Sequence, residues 1–294
     1  MMKRRIGLAL ALTLTLAVAA CGNNGNSSPS SNKSGASGSA SANNDNAEPR
    51  TLVIALANGI PKISVLDENG KWQGYDYEVL TKIDEILPQY VFKYEPITDF
   101  QAAFVGLDTK AYDILSIHAS WTEERAQKYL LGEASHYENS GYTLRVKKGS
   151  GIVVNSDEDL GGLKIAVPPG TSVAGLSEKF NETHSDNPIE IVWDSGTLEQ
   201  QLAILKSGAV DGLFGEKLND QATLEAYGPD AFDVTGDNLF YDPAKKNGTY
   251  LLYNYGSESL QQELDTAINK LLADGTLSKL SLEILGIDVT VKPL

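Results

Sequence analysis

The stretch EIVWDSGTLEQQLAILKSGAVDGLFGE, residues 190–216, decides the fold class. Its opening, EIVWDSG (190–196), reads as a strand, with β-branched and aromatic residues running into an Asp-Ser-Gly turn. Thr197-x-x-Gln200 then forms a capping box, whose hydroxyl and amide can satisfy the open backbone N–H groups of a helix start. Leu198, Leu202 and Leu205 follow at helical spacing, and AVDGLFG (209–215) reads as a second strand. A strand, a helix and a strand in so short a run make a βαβ unit, and repeated units of that kind mean an α/β fold with mainly parallel sheets.

The same rhythm extends outward in both directions. TLVIALA (51–57) opens as a strand, and Asp67-Glu68-Asn69-Gly70 marks a hairpin. Asp76 is placed to cap a helix carrying Val79, Leu80, Ile83, Ile86 and Leu87, which Pro88 ends. VFKYEPI (91–97) is a strand, and Thr98 or Asp99 caps a helix with Phe100, Ala103, Phe104 and Leu107 on one face. DILSI (113–117) is a short buried strand. Ser120 or Thr122 opens the next helix, Ser120-x-x-Glu123 having the form of a capping box. GYTLRVKKG (141–149) precedes KIAVPPG (164–170), a strand and turn from which Thr171 or Ser172 opens a helix. TYLLYNY (249–255) is a last strand. It leads into a helix with Leu260, Leu264, Ile268, Leu271 and Leu272 inside, then a final helix stopped by Gly286. The expected class is α/β with mainly parallel sheets, in two lobes rather than one.

Composition narrows the function. The chain has 294 residues, 41% hydrophobic and 21% charged, enough for a substantial core. Acidic residues (39) outnumber Lys and Arg (24), for a net charge of −15. Three of the basic residues, Lys3, Arg4 and Arg5, sit at the extreme N-terminus, so the rest is more acidic still. Such a surface argues against nucleic acid as a partner. The single cysteine excludes an intrachain disulfide, and the histidines, His118, His136 and His184, are scattered along the chain, so no metal site is expected. No cofactor is implied.

The N-terminal segment reads as a processing and anchoring signal. The basic run 3–5, the apolar run IGLALALTLTLAVAA (6–20) and Cys21 have the order of a signal sequence, and the apolar part is short for a bilayer span. Residues 22–49 hold eight Ser, seven Asn, four Gly and four Ala, a composition that cannot bury enough surface to offset its ordering entropy. The expectation is a signal peptide at 1–20 and a disordered tether at 21–49, whose ends would sit roughly 30 Å apart.

Two resemblances then enter. Val18-Ala19-Ala20-Cys21 resembles the bacterial lipobox, which implies a lipid-modified Cys21 and a chain anchored on the outer face of the cell membrane, in the manner of Gram-positive lipoproteins. Residues 51–290 resemble the amino-acid-binding proteins of ABC importers, the family 3 solute-binding group. DENGKWQGYDYEVL (67–80) is similar to a D-x-x-G-x-x-x-G-[FY]-D signature, with Gly70, Gly74, Tyr75 and Asp76 in place. YDILSIHASWTEERAQKYLL (112–131) is similar to the stretch that ends in a carboxylate-binding arginine, here Arg125. DLGGLKIAVPPGTS (159–172), LKSGAVDGLFGE (205–216) and ADGTLSKLSLEILG (273–286) resemble three further family segments in the family's order. Details near 82–88, 124–130 and 274–281 resemble the cystine-type members.

The resemblance implies two lobes, 50–144 with 251–294 and 145–250, joined by crossings near 143–147 and 248–253 and closing on a ligand. It implies a monomeric receptor that hands an amino acid, cystine foremost, to a membrane permease driven by an ATPase. An enzyme on the same fold and a sensor domain are the other classes considered. No nucleophile–base pair supports the first, and no later membrane helix supports the second.

A zwitterion in a closed cleft needs both charges paired. The residues that would do this are Arg125 for the carboxylate, the Ser120 and Thr171–Ser172 helix starts, and Glu216 for the ammonium. Phe100, His118 and Asn58 would complete the pocket. Glu216 stands where the family usually has an aspartate, and His118 where a small residue or glutamine is common. Ala57 and Ile60 flank Asn58 where many members carry an Asp and a stacking Tyr, which disfavours a cationic side chain in the ligand. Without the resemblance, Arg125 reads first as a solvated helix arginine beside Glu123 and Glu124, and for Thr171 and Ser172 plain caps are the alternative reading.

Overall fold

A computed structural model describes residues 48–290. The expected signal segment, Cys21 and most of the tether lie outside the described residues. In chain order the first half runs β1 (Arg50–Ala57), β2 (Val65–Leu66), β3 (Trp72–Gln73), α1 (Tyr75–Ile86), β4 (Tyr90–Ile97), α2 (Phe100–Asp108), β5 (Ile114–Ser120), α3 (Glu123–Lys128), β6 (Leu130–Leu131) and β7 (Tyr137–Glu138). There follow β8 (Tyr142–Val146), β9 (Lys164–Val167), α4 (Ser172–Thr183), β10 (Glu190–Trp193), α5 (Leu198–Ser207), β11 (Gly212–Glu216), α6 (Lys217–Tyr227) and β12 (Asp233–Leu239). The chain closes with β13 (Gly248–Tyr253), α7 (Glu258–Ala273) and α8 (Thr276–Leu285).

Two large sheets define two lobes, and β2 pairs with β3 in a separate two-stranded antiparallel sheet. The first large sheet has the order β4-β1-β5-β13-β6, with β7 pairing to β13. The second has the order β10-β9-β11-β8-β12. Each contains three parallel strands in the same arrangement, the first βα strand in the middle and the next two on either side. The remaining strands are antiparallel, so the sheets are mixed rather than mainly parallel. The antiparallel pairings involve the strands that flank the two links between the sheets, β7 and β8 at the first and β12 and β13 at the second, together with β6.

Local sequence accounts for most elements. In β1, Leu52, Ile54 and Leu56 enter one core cluster while Ala55 and Ala57 enter another, so successive residues serve opposite faces of a sheet covered on both sides. The first cluster also takes α1, α7 and α8, and the second takes α2. The capping box of α5 is formed: Thr197 Oγ1 accepts from Gln200 N at 3.3 Å and Gln200 Oε1 from Thr197 N at 2.8 Å. Asp99 caps α2 through Gln101 N and Ala102 N. Leu260, Leu264, Ile268 and Leu271 of α7 are buried and Leu272 half-buried.

Three expectations are corrected. Asp76 does not cap α1; the cap position is Gly74, at φ 112°, where an added Cβ would lie 2.4 Å from the Ile63 carbonyl oxygen. Asp76 instead sits in the first turn, fully buried, with a different role. The Ser120–Glu123 capping box does not form because Ser120 stays in β5; Thr122 caps α3, its hydroxyl accepting from Arg125 N at 3.1 Å. The chain passes between sheets at 139–141 and 240–247, not at 143–147 and 248–253, which are the strands β8 and β13. The β-branched and aromatic runs pair as sheet, and the links fall to the more polar residues before them. Two elements, α6 and β12, carry no periodic signal strong enough for the sequence to place them.

Candidate functional site

The carboxyl ends of the parallel strands in the two sheets face one cleft, the position where open α/β sheets bind ligands. Asn58 follows β1, Phe100 opens α2 after β4, and His118 lies near the end of β5. From the second sheet, the Gly170-Thr171-Ser172 turn follows β9 and Glu216 ends β11. The cleft encloses about 210 Å³. Of the eight residues expected there, seven line it: Asn58, Phe100, His118, Arg125, Thr171, Ser172 and Glu216. Ser120 does not line it, and contributes its backbone carbonyl, which accepts from Arg125 Nη1 at 2.6 Å. Asn58 is turned to the fold, its Oδ1 accepting from Leu66 N at 2.8 Å.

Arg125 bridges the lobes. Its Nη1 donates to Ser172 Oγ at 3.0 Å and its Nη2 to the Gly170 carbonyl at 2.8 Å, both across the cleft. The residue is only 8% exposed, and among the described residues no carboxylate pairs with it. Burial works against its charge, but a guanidinium does not give up its proton in a protein, so the cleft holds a cation with no carboxylate bonded to it. The turn it touches starts α4. Thr171 does not cap that helix with its side chain, since its hydroxyl donates to the Pro168 carbonyl at 2.7 Å. The first N–H groups of α4 therefore face the same region as Arg125, adding to its attraction for an anion.

The opposite charge gathers at His118. Its Nε2 lies 3.1 Å from Glu216 Oε2 across the cleft, and its Nδ1 lies 3.3 Å from Asp76 Oδ2. His136 Nε2 lies 3.2 Å from the other oxygen of Asp76. The ring of His118 stands edge-on to Tyr137, with centroids 4.5 Å apart. Burial alone would lower the pKa of His118, but the negative charges of Glu216 and Asp76 outweigh it and push it up to about 10. Burial likewise disfavours the Asp76 carboxylate, and the His118 imidazolium more than reverses this, holding it well below the usual range. Two carboxylates, Asp76 and Glu216, thus flank the His118 ring on this side of the cleft. His118 also has φ 53°, a left-handed backbone uncommon outside glycine, which surrounding packing must hold.

Sequence reasoning missed several members of this arrangement. Asp76 was assigned to a helix cap, and His118 and His136 were read as separate; the fold brings both rings to one carboxylate. Tyr142 lines the cleft beside Arg125 and Ser172, its pKa pushed up to about 12 by burial and by the charge of Glu216. Arg145, Gln201 and Asn219 line the second lobe's side. The one signal available for Arg145 was a charged residue at an inward position of an otherwise apolar strand, TLRV. Among the described residues no group of histidine, cysteine, aspartate and glutamate side chains is arranged to hold a metal ion. No helix among them is long and apolar enough to cross a membrane.

Known proteins bear on this geometry. The chain is 28% identical over 243 residues to the L-cystine-binding protein TcyJ of Bacillus subtilis (strain 168), covering 82% of this chain and 86% of that protein. It is 26% identical over 243 residues to the L-cystine-binding protein TcyJ of Escherichia coli (strain K12), covering 83% and 85%. Among solved structures, one from work on glutathione import via GshT and the cystine ABC importer TcyBC of Streptococcus mutans has a TM-score of 0.72 and 28% identity, covering 82% of this chain and 97% of that one. A putative L-cystine ABC transporter structure from Listeria monocytogenes has a TM-score of 0.72 and 26% identity, covering 83% and 100%. The description of one family matches residues 52–286, most of the chain. With a two-lobed α/β fold and a cleft charged positively at one end and negatively at the other, the chain belongs to the bacterial extracellular solute-binding proteins, family 3.

Proposed function

We propose that this protein captures an amino acid outside the cytoplasm, with L-cystine the leading ligand, and delivers it to an ABC permease and its ATPase. The observation that carries the reading is the separation of charge in the cleft. Arg125 is a buried cation with no carboxylate bonded to it, and Asp76 and Glu216 bring two carboxylates to His118. An α-amino acid carries the complementary pair on one carbon. Its carboxylate would take the Arg125 fork and the α4 N-terminus, and its ammonium would take Glu216. Binding would thus pair the Arg125 and Glu216 charges with a ligand, and the two contacts draw on both lobes.

Cystine is favoured over other amino acids by the sequence details near 82–88, 124–130 and 274–281 and by the names of the relatives. The lobes, taken as 50–144 with 251–294 and 145–250, have the support of strand membership, with links at 139–141 and 240–247 that move those limits by a few residues. The protein would act as a monomer held at the membrane by a lipid on Cys21. The basic, apolar and small-residue order of 3–21 supports that part of the reading.

The test is a calorimetric panel of L-cystine, L-cysteine, L-glutamine, L-histidine, L-arginine and L-lysine. Binding of a neutral member, L-cystine tightest, is expected. Tight binding of arginine or lysine alone would overturn the ligand class, and binding of none would overturn the function.

A further inference from the structure

Two ion pairs among the described residues join the lobes. His118 meets Glu216 at 3.1 Å, and both of these residues line the cleft. Lys62 meets Glu225 at 2.7 Å, and neither of these lines it. The second pair therefore joins the lobes without belonging to the ligand site.

Each member is held in place by its own lobe. Lys62 lies in the loop between β1 and β2, at φ 60°, a backbone uncommon for a residue with a side chain. Backbone bonds fix that loop. Ile63 N and Ser64 N donate to the Ile60 carbonyl at 3.1 and 3.0 Å, and the Lys62 carbonyl accepts from Tyr75 N, the first residue of α1, at 2.9 Å. Ile63, next in the chain, is buried in the core of the first lobe. On the other side Glu225 lies on α6. Its Oε2 meets Lys62 Nζ, and its Oε1 accepts from Gln221 Nε2 at 3.2 Å, one turn earlier. The bond from Lys62, then that from Gln221, hold its carboxyl below the ordinary value. Leu218 stands a further turn back, so 218, 221 and 225 share one face of α6. Leu218 is half-buried and packs against the first lobe's core cluster, which contains Ile63 and Tyr75. One face of α6, apolar at its start and acidic near its end, is thus turned to the first lobe. Glu216 occupies the N-cap position of the same helix. A single element therefore carries both the carboxylate that would meet the ligand ammonium and the contacts that join the lobes outside the site.

We propose that Lys62 and Glu225, with Leu218 behind them, form a clasp on the closed arrangement of the lobes, which raises ligand affinity without touching the ligand. A ligand that contacts both lobes binds the closed form best, so its apparent affinity scales with the fraction of molecules that are closed. The clasp acts on that fraction. Its two side chains are 38% and 49% exposed, so neutralising the pair should weaken binding a few-fold rather than abolish it. Reversing one charge costs more, because like charges then face each other from backbones that are fixed. Salt screens an exposed pair, so the effect should shrink as ionic strength rises. The inference rests on the reading of the protein as an amino-acid receptor that closes on its ligand.

The experiment is a charge swap. The wild type, Lys62→Glu, Glu225→Lys and the double variant with both substitutions are compared by calorimetry with L-cystine and by small-angle scattering without added ligand. Each single variant should bind roughly five- to tenfold more weakly and show a larger radius of gyration, and the double variant should return both values to near those of the wild type. At about 1 M salt the single variants should approach the wild type. Equal affinities and radii in all four proteins would overturn the clasp. So would a double variant no better than the single ones, since the two positions would then be sensitive to substitution without being paired. A wild type that does not bind L-cystine counts against the receptor reading, and the four radii then decide the clasp by themselves.

Discussion

The cleft holds two buried arginines that should respond in opposite ways to truncation. Arg125 makes three hydrogen bonds, all to uncharged oxygens, and Arg145 is paired with Asp220 at 2.7 Å. Arg125→Ala forfeits bonds worth about 1 kcal/mol each, but it also relieves the desolvation of a cation to which no carboxylate is bonded, so the net loss of fold stability should stay below about 2 kcal/mol. Arg145→Ala leaves the Asp220 carboxylate buried and unpaired, its side chain 8% exposed, at a cost of roughly 3–5 kcal/mol. For ligand the order reverses. Without the Arg125 fork a bound carboxylate loses its charged partner, which costs about 3–5 kcal/mol, between roughly a hundredfold and several thousandfold in Kd. Urea denaturation of both variants without ligand, and calorimetry of Arg125→Ala with L-cystine, measure the two effects. Unchanged affinity in Arg125→Ala would refute its role. A ligand-free stability as low as that of Arg145→Ala would refute the small net cost assigned to losing its charge.

Four further outcomes are expected. The pKa of His118 is raised in the folded protein, so its stabilising contribution is complete below about 6.5, the unfolded value, and is lost as pH rises through about 10; the urea midpoint should fall from pH 7 to pH 9.5, and His118→Gln should flatten that dependence. Gly74→Ala forces a side chain into the left-handed backbone at φ 112° and against the Ile63 carbonyl, and should lower stability by about 2 kcal/mol or more in thermal unfolding. Small-angle scattering should show no larger radius with L-cystine than without it, since ligand contacts join the lobes; expansion would contradict closure. Cys21→Ser should release the protein from the membrane fraction, and unchanged fractionation would remove the anchor from the reading.

The sequence by itself determined the elements and the family. Strand and helix signals are local: the period of apolar residues in α7, the capping box at Thr197 and the turn at 67–70 each lie within a few residues of what they specify. Arg125, Ser172 and Glu216 were singled out by the resemblance of the short segments that carry them, and the fold brings all three to the cleft. Only the tertiary structure decided the charges around them. Asp76 meets His118 from 42 residues away and His136 from 60, and Arg145 meets Asp220 from 75. Nothing in the local pattern distinguishes Asp76 from an ordinary helix cap, since a carboxylate in a first turn serves a helix equally well from either position. The crossings between lobes were misplaced for a related reason: TYLLY and TLRV carry strand propensity, but which sheet receives them depends on pairing partners far along the chain. Periodicity records which side of an element is buried, and the topology decides what it is buried against.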